Sequence, residues 1–234
     1  MAAKPNKYYN QCSFRAAFFN YTTMSFWVKT NTIVKLLFRN YVWDIASRTK
    51  TVYLTFDDGP IPEVTPWVLS ELEAADAKAT FFCIGDNVSI NPQVFKQVCE
   101  NGHAIGNHTF NHLNGWKTAV TDYLENVRQC DVTLAQNLQT DVRLFRPPYG
   151  KITLKQSKSL RKLGYKIIMW DVISFDFDQT VSRDQCLQNV LKNINSGSII
   201  VFHDSEKAFD NLKYVLPKTL AYLKENGYNC AAIH

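Results

Sequence analysis

The chain has 234 residues, of which 46% are hydrophobic and 20% charged, a composition typical of one globular unit large enough for a full hydrophobic core. Its formal net charge of +5 is spread over both signs, without a block of like charges or a basic stripe interleaved with aromatic residues. These features give no support to nucleic-acid binding, and we expect no nucleic-acid partner.

The first 50 residues contain basic and aromatic residues but no recognisable export signal. The apolar runs are all interrupted well short of the roughly 20 residues that span a bilayer. Clusters around Phe18 and over 34–38 are consistent with a surface helix that packs on the domain or touches a membrane. We predict a partly helical or flexible N-terminal extension over 1–50, no transmembrane anchor, and by default a cytoplasmic location. A change in composition suggests Met24 as an alternative translation start. The charged residues that interrupt the apolar runs are Arg15, Lys29, Lys35 and Arg39.

Six cysteines are scattered along the chain and form no CxxC pair. This spacing indicates neither a zinc ribbon nor a disulfide framework, and it favours buried free thiols.

From Thr51 onward, short runs of β-branched and aromatic residues alternate with longer amphipathic stretches. Asn91 and Pro92 predict the start of one helix, and Gly102 predicts its end. Strands that alternate with helices are normally parallel and joined by right-handed crossovers. Periodicity alone leaves open whether the sheet is flat or closed. The seven predicted strands are 51–56, 79–84, 103–106, 143–145, 165–170, 198–202 and 228–233.

Polar side chains recur directly after the predicted strands. In a barrel the loops after the strands converge on one face, which is where such folds carry their chemistry. The placement therefore favours a barrel with one candidate site over an open sheet. The residues are, in chain order, Asp57, Asp58, His108, His112, Arg146, Tyr149, Asp176 and His203.

His108 and His112 are a candidate pair of metal ligands. Side chains four positions apart lie on one face of a helical turn, so both imidazoles could reach one cation. An isolated pair with this spacing is more often formed by ordinary surface histidines, but here the chain has only five histidines and a carboxylate pair is available. We therefore predict a site of two histidines and one carboxylate that leaves a fourth position for water.

Asp57 and Asp58 are the candidate carboxylates. The segment 57–60 is also typical of a plain turn. Adjacent side chains at a strand end point in different directions, however, so one aspartate can bind the metal while the other faces the water. A metal ion lowers the pKa of bound water to about 7, and a neighbouring carboxylate can take its proton. The spacing leaves open which aspartate has which role.

Arg146 and His203 supply the remaining functions of an amide hydrolase. Two prolines after Arg146 stiffen its loop, and a guanidinium beside Asp57 would hold that carboxylate ionised. His203 follows a predicted strand, and histidine titrates near neutral pH, so it is the candidate acid for the leaving amine. The residues alone thus predict metal-dependent amide hydrolysis.

Four segments together resemble the motifs of the polysaccharide deacetylase family, the NodB homology domain of carbohydrate esterase family 4. They are Thr-Phe-Asp-Asp-Gly-Pro at 55–60, His-Thr-Phe-Asn-His at 108–112, Arg-Pro-Pro-Tyr at 146–149 and Val-Phe-His at 201–203. The resemblance covers roughly 51–234, which we predict to be one NodB-homology domain. It implies an α/β fold, a TIM-like distorted (β/α)7 barrel with a short N-terminal extension.

The resemblance also implies roles for individual residues. Asp57 is then the catalytic base, oriented by Arg146, and His203 is the acid, tuned by Asp176. The metal that suits two histidines and one aspartate is zinc, although such a ligand set would also accept cobalt, nickel or manganese. Its ligands are then Asp58, His108 and His112. The implied substrate contacts come from the backbone N–H of Tyr149 and from the side chains of Phe177 and Val201.

The chain departs from the family pattern at its fourth motif. Asp176-Phe177 stands where an Asp-Trp pair is usual, and Ile173 occupies a position often held by aspartate. The pocket wall therefore changes, and the glycan preference stays open between peptidoglycan, chitin-like chains and other envelope glycans.

Two alternatives remain beside an N-acetylated glycan substrate. One is a deacylase acting on a small non-sugar amide, and the other is a carbohydrate-binding pseudoenzyme. The resemblance favours the cell envelope as location, and the sequence leaves the oligomeric state undetermined.

Overall fold

The structure, a computed structural model, describes residues 28–136 and 142–234. Within these ranges eight parallel strands form one sheet in the order β5-β4-β3-β2-β1-β7-β6, and β8 pairs with the beginning of β1. The sheet curls into a half-barrel whose edges are β5 and β6, which confirms the predicted α/β barrel-like architecture. The strands are β1 (Thr51–Asp57), β2 (Ala79–Cys83), β3 (Ala104–Asn107), β4 (Leu144–Phe145), β5 (Lys166–Ile167), β6 (Val172–Ile173), β7 (Ile199–His203) and β8 (Asn229–Cys230).

Helices connect successive strands in most of the chain. Gly102, with φ of +69°, follows the helix that begins at Pro92, as predicted. Asn91 occupies the N-cap position, but its side chain does not cap the helix and donates instead to the carbonyl of Pro60 at 3.3 Å. The helices are α1 (Thr32–Leu37), α2 (Val64–Ala74), α3 (Gly85–Ile90), α4 (Pro92–Glu100), α5 (Val120–Ala135), α6 (Leu154–Lys162), α7 (Arg183–Leu191) and α8 (Phe209–Glu225).

Alternation along β1 separates the core from the site. Leu54 and Phe56 belong to the hydrophobic cluster that packs against the helices, where the Phe56 ring stacks 5.0 Å from that of Phe81. Because successive side chains of a strand point to opposite faces, Thr55 and Asp57 point into the half-barrel. The burial of large apolar groups on one face thus orients the polar residues on the other.

The predicted fifth strand, 165–170, is wrong in part. Only Lys166–Ile167 pairs as a strand there, and a separate strand, β6, pairs with β7 before Asp176. The last predicted strand shortens to Asn229–Cys230. Both differences arise because two-residue pairings at sheet edges depend on the neighbouring strand, which local sequence does not reveal.

Residues 28–50 pack against the open side of the half-barrel. Lys29 and Lys35 donate to the two carboxylate oxygens of the buried Asp171, at 2.6 and 2.5 Å. The surface helix expected near 34–38 is present as α1, and the domain boundary at residue 50 stays a prediction. No helix in the described residues has the length and apolar character to cross a membrane. Phe18 and Met24 lie outside the described residues.

The five cysteines of the described ranges carry free thiols, as predicted. Three of them are buried and two are half-buried. Cys12 lies outside these ranges. The described cysteines are Cys83, Cys99, Cys130, Cys186 and Cys230.

Candidate active site

The candidate site lies at the carboxyl ends of β1, β3, β4 and β7. Asp57 ends β1 and His203 ends β7, and the two are paired in the register of these strands. His108 follows β3 directly, and Arg146 follows β4. The parallel sheet therefore brings together the residues that the sequence placed after separate strands.

Arg146 forms the buried floor of the site. Its side chain is fully buried and donates to Asp57 Oδ1 at 2.6 Å, to Thr55 Oγ1 at 2.7 Å and to the carbonyl of Met169 at 2.9 Å. The guanidinium also lies over the ring of Phe82, 4.1 Å from its centroid. These contacts fix both the position of the cation and the orientation of the Asp57 carboxylate.

Asp57 is held in its ionised form. Burial by itself would raise the pKa of this carboxyl, but the charges of Arg146, His108 and His203 outweigh burial and lower the pKa. An ionised carboxylate accepts protons, so the environment of Asp57 suits a general base.

Asp58, His108 and His112 bring three possible ligand atoms within 4.8 Å of one another. Asp58 Oδ1 lies 3.3 Å from His112 Nε2 and 3.7 Å from His108 Nε2. This oxygen is buried, yet among the described residues no hydrogen-bond donor reaches it. A buried carboxylate oxygen without a donor is costly, and a cation between the three atoms would satisfy it. The donor set fits a divalent metal ion, and two imidazoles with one carboxylate are typical zinc ligands.

The Nδ1 atom of each imidazole lies within hydrogen-bond distance of a neighbouring group, and the Nε2 atoms face Asp58. His108 Nδ1 lies 2.7 Å from the carbonyl oxygen of Arg146, which can only accept, so Nδ1 carries the proton and Nε2 presents a lone pair. His112 Nδ1 lies 3.0 Å from the Tyr149 hydroxyl. Burial, followed by the nearby His108, lowers the pKa of His112 to about 4, so this ring is neutral at physiological pH.

The prediction that His108 and His112 share a face of a helical turn is wrong. Residues 108–112 form a loop in which Thr109 and His112 have φ of +66° and +59°. The Asn107 side chain accepts from the backbone N–H of Thr109 at 2.8 Å, and the Thr109 hydroxyl accepts from the N–H of Leu113 at 3.0 Å. Side-chain hydrogen bonds thus replace the helical ones and still direct both rings to one point.

The backbone conformation that directs the Asp58 side chain into the site also differs from the prediction. Its φ of +84° turns the chain after β1, so its direction comes from a left-handed backbone conformation as well as from strand alternation. The turn is held by Asp204, whose Oδ1 accepts from the N–H of Gly59 at 3.0 Å and whose Oδ2 accepts from the Thr65 hydroxyl at 2.6 Å. A Cβ on Gly59 would lie 1.9 Å from Asp204 Oδ2, so the close approach requires glycine.

Sequence reasoning gave no role to Asp204, although it directly follows His203. Its carboxyl is fully buried, and burial raises its pKa to about 8. Its position after a strand is the signal that could have indicated a role. Its partners lie 139 and 145 residues away in the chain, so the contacts themselves could not be read from the sequence.

His203 and Asp176 form the predicted pair. His203 Nδ1 lies 2.8 Å from Asp176 Oδ1, and the backbone N–H of His203 donates to Asp176 Oδ2 at 2.9 Å. Burial lowers the pKa of His203, but the charge and hydrogen bond of Asp176 outweigh it and raise the pKa to about 9. A protonated imidazole at neutral pH can donate to a leaving amine.

The three predicted substrate-contacting residues surround this pair and the histidine loop. Phe177 packs edge-on against His203, with ring centroids 4.7 Å apart. Tyr149 is 59% exposed and has φ of +60°. Val201 is buried on the same face of β7 as His203, two residues below it. Their roles in substrate binding stay predictions.

Comparisons with known proteins identify the family of the chain. The family model described as polysaccharide deacetylase matches residues 44–168, more than half of the chain. A peptidoglycan-N-acetylglucosamine deacetylase of Bacillus cereus is 35% identical over 82% of this chain and 90% of its own length. The peptidoglycan-N-acetylmuramic acid deacetylase PdaA of Bacillus subtilis is 32% identical over 80% and 71%.

A solved structure shares the architecture as well. The crystal structure of a peptidoglycan N-acetylglucosamine deacetylase in complex with an N-oxidanyl-benzamide superposes with a TM-score of 0.80 at 31% identity, covering 85% of this chain and 94% of that one. The fold, the family model and the relatives lead to one conclusion: the chain belongs to the polysaccharide deacetylase family and is a hydrolase acting on carbon–nitrogen bonds other than peptide bonds.

Proposed function

We propose that this enzyme removes the acetyl group from N-acetylated sugars of a polysaccharide or oligosaccharide, with peptidoglycan as the first candidate and chitin-like chains as the second. The observation that carries the proposal is the buried Asp58 Oδ1, which has no donor among the described residues and faces the Nε2 atoms of two histidines. A peptidoglycan substrate favours action at the cell envelope.

Asp58, His108 and His112 would hold one divalent ion, with zinc as the first candidate and cobalt, nickel or manganese as others. When bound, such an ion supplies Lewis-acid polarisation of the acetamide carbonyl and activates water.

The chain's own residues supply the proton transfers. Asp57, ionised and oriented by Arg146, accepts a proton from the attacking water. His203, protonated through its interaction with Asp176, donates a proton to the amine that leaves when the carbon–nitrogen bond breaks. The two groups end adjacent paired strands, so they reach the reacting centre from neighbouring positions. Tyr149, Phe177 and Val201 would surround the acetyl group.

The test measures acetate release from peptidoglycan fragments and from N-acetylglucosamine oligomers, by protein treated with a chelator and then resupplied with zinc. We expect release only with the metal. Asp57→Asn should retain zinc and lose about 10²- to 10⁴-fold in turnover, the range of general base catalysis. His108→Ala should lose both zinc and turnover. Bound zinc is measured directly by elemental analysis.

Two outcomes would contradict the proposal. Metal-loaded protein that releases acetate from small amides but from no glycan would support a non-sugar deacylase. Protein that binds glycans and zinc but releases no acetate from any substrate would support a carbohydrate-binding pseudoenzyme.

A further inference from the structure

Trp116, Tyr149 and Lys151 form an exposed surface beside the metal-binding histidines, here called the aromatic shelf. Trp116 and Tyr149 are 66% and 59% exposed, which is unusual for large aromatic residues. Lys151 Nζ lies 5.6 Å from the centroid of the Trp116 ring and 5.8 Å from that of Tyr149. Two aromatic rings and one cation thus share a small area of surface.

Three hydrogen bonds hold together the two loops that carry the aromatic shelf. The Trp116 indole N–H donates to the carbonyl of Ile152 at 3.2 Å, and the N–H of Gly115 donates to the carbonyl of Lys151 at 3.2 Å. The Gln156 amide donates to the carbonyl of Gly115 at 2.9 Å. The Trp116 loop and the Lys151 loop are therefore fastened together, and the exposed rings are already ordered for binding.

The shelf is continuous with the proposed catalytic centre. The Tyr149 hydroxyl lies 3.0 Å from His112 Nδ1, and the two rings are 4.5 Å apart. A sugar in the site therefore has its neighbour in the chain within reach of the shelf. Pyranose rings carry an apolar C–H face, which packs on flat aromatic side chains, and exposed apolar patches on monomers frequently mark binding surfaces.

Lys151 gives the shelf a charge preference. In the part of the chain that the structure describes, no carboxylate lies within ion-pair distance of its ammonium group. The ammonium has three donors, and contact with two ring faces leaves donors available for a ligand. The group that complements a positioned, unpaired ammonium is an anion such as a carboxylate.

We propose that the aromatic shelf binds a sugar unit next to the one that is deacetylated, and that Lys151 selects a glycan carrying a carboxylate at that position. This inference rests on the proposed function of the neighbouring site. The carboxylate could belong to the sugar itself, as in a muramic acid, or to a peptide attached to it.

The test compares the wild type with Lys151→Gln and with the matched control Lys117→Gln, which changes an exposed lysine next to Trp116. Four oligosaccharides of equal length are used: a neutral N-acetylglucosamine oligomer, one with muramic acid carboxylates, the same oligomer with these carboxylates amidated, and one carrying peptides. Binding is followed by tryptophan fluorescence, and acetate is measured in the same samples.

We expect Lys151→Gln to weaken binding of carboxylate-bearing oligomers and raise their KM about tenfold, the value of one charge-assisted hydrogen bond. Binding of the neutral and amidated oligomers should change less than about twofold, kcat should stay the same, and Lys117→Gln should behave as the wild type. An effect confined to the muramic acid oligomer or to the peptide-bearing one identifies the source of the carboxylate.

Equal losses on all four oligomers, or no loss on any, would overturn the inference. The proposed function fails separately: wild-type protein that binds carboxylate oligomers through Lys151 but releases no acetate would support the shelf and refute the deacetylase. Acetate release that is unaffected by Lys151→Gln would do the reverse.

Discussion

Replacing Arg146 by methionine should strongly destabilise the protein as well as inactivate it. Methionine fills much of the same volume but donates no hydrogen bond. The Asp57 side chain, 6% exposed, would then remain buried without the cation that lies 2.6 Å away in the native protein. The carbonyl of Met169 would also lose a donor. Breaking a buried ion pair by removing one partner costs about 3–5 kcal/mol. At about 2–4 °C of Tm per kcal/mol for a domain of this size, the expected loss is about 6–20 °C.

Urea unfolding at pH 7 in the presence of a chelator measures this loss without a contribution from bound metal. The matched control is Arg128→Met, because Arg128 pairs with Glu125 at the same distance of 2.6 Å but both side chains are more than 60% exposed. That variant should keep nearly the stability of the wild type, because an ion pair between solvent-exposed side chains contributes little. The double variant Asp57→Asn/Arg146→Met should lose less than the sum of the two single losses, since neither member of the pair is then left as an unpaired buried charge. A loss below about 1 kcal/mol for Arg146→Met, or additive losses in the double variant, would refute the role of the buried pair.

Three further outcomes are expected. Burial raises the pKa of Asp171, but hydrogen bonds from two lysines and a serine outweigh it and lower the pKa. Asp171→Asn should therefore lower the free energy of unfolding in urea by about 2 kcal/mol at pH 7. This loss should shrink as the pH falls below about 4, because the carboxyl is then protonated in the unfolded chain. A loss that is constant with pH would contradict this reasoning. Asp176→Asn should shift the alkaline limb of the pH profile of kcat to a pH lower by at least about one unit, because it removes the interaction that raises the pKa of His203 to about 9. An unchanged alkaline limb would exclude His203 as the acid. Gly59→Ala should weaken zinc binding measured by calorimetry, since its Cβ would lie 1.9 Å from Asp204 Oδ2 and displace the turn that carries Asp58; unchanged affinity would show that the turn tolerates the shift.

Much of the site could be predicted because it depends on local rules. Side-chain alternation along a strand is such a local rule, and in the structure Thr55 and Asp57 lie on one face of β1 and Phe56 on the other. The rule that polar residues follow parallel strands identified Asp57, His108 and His203, and the structure brings these side chains to one end of the sheet. These inferences need only the order of residues along each strand and the parallel direction of the sheet.

Two other predictions failed, one because a short strand depends on a distant neighbour and one because local side-chain hydrogen bonds override the expected periodicity. Strand β6 pairs for only two residues, and its existence depends on the adjacent β7. Side-chain hydrogen bonds set the conformation of the 108–112 loop, which is not the helical turn whose spacing suggested a pair of metal ligands. A two-residue strand and an irregular loop leave little periodic signal in a sequence.

The sequence by itself determined the βα alternation, the set of chemical groups and the strand ends from which they project, because hydrophobic periodicity and residue type are local properties. Only the tertiary structure decided how those groups act on one another. Arg146 reaches Asp57 across 89 residues, and Asp204 holds the turn at Gly59 across 145. Such contacts set burial, ionisation and direction together, and they exist only once β1, β4 and β7 lie within the same sheet.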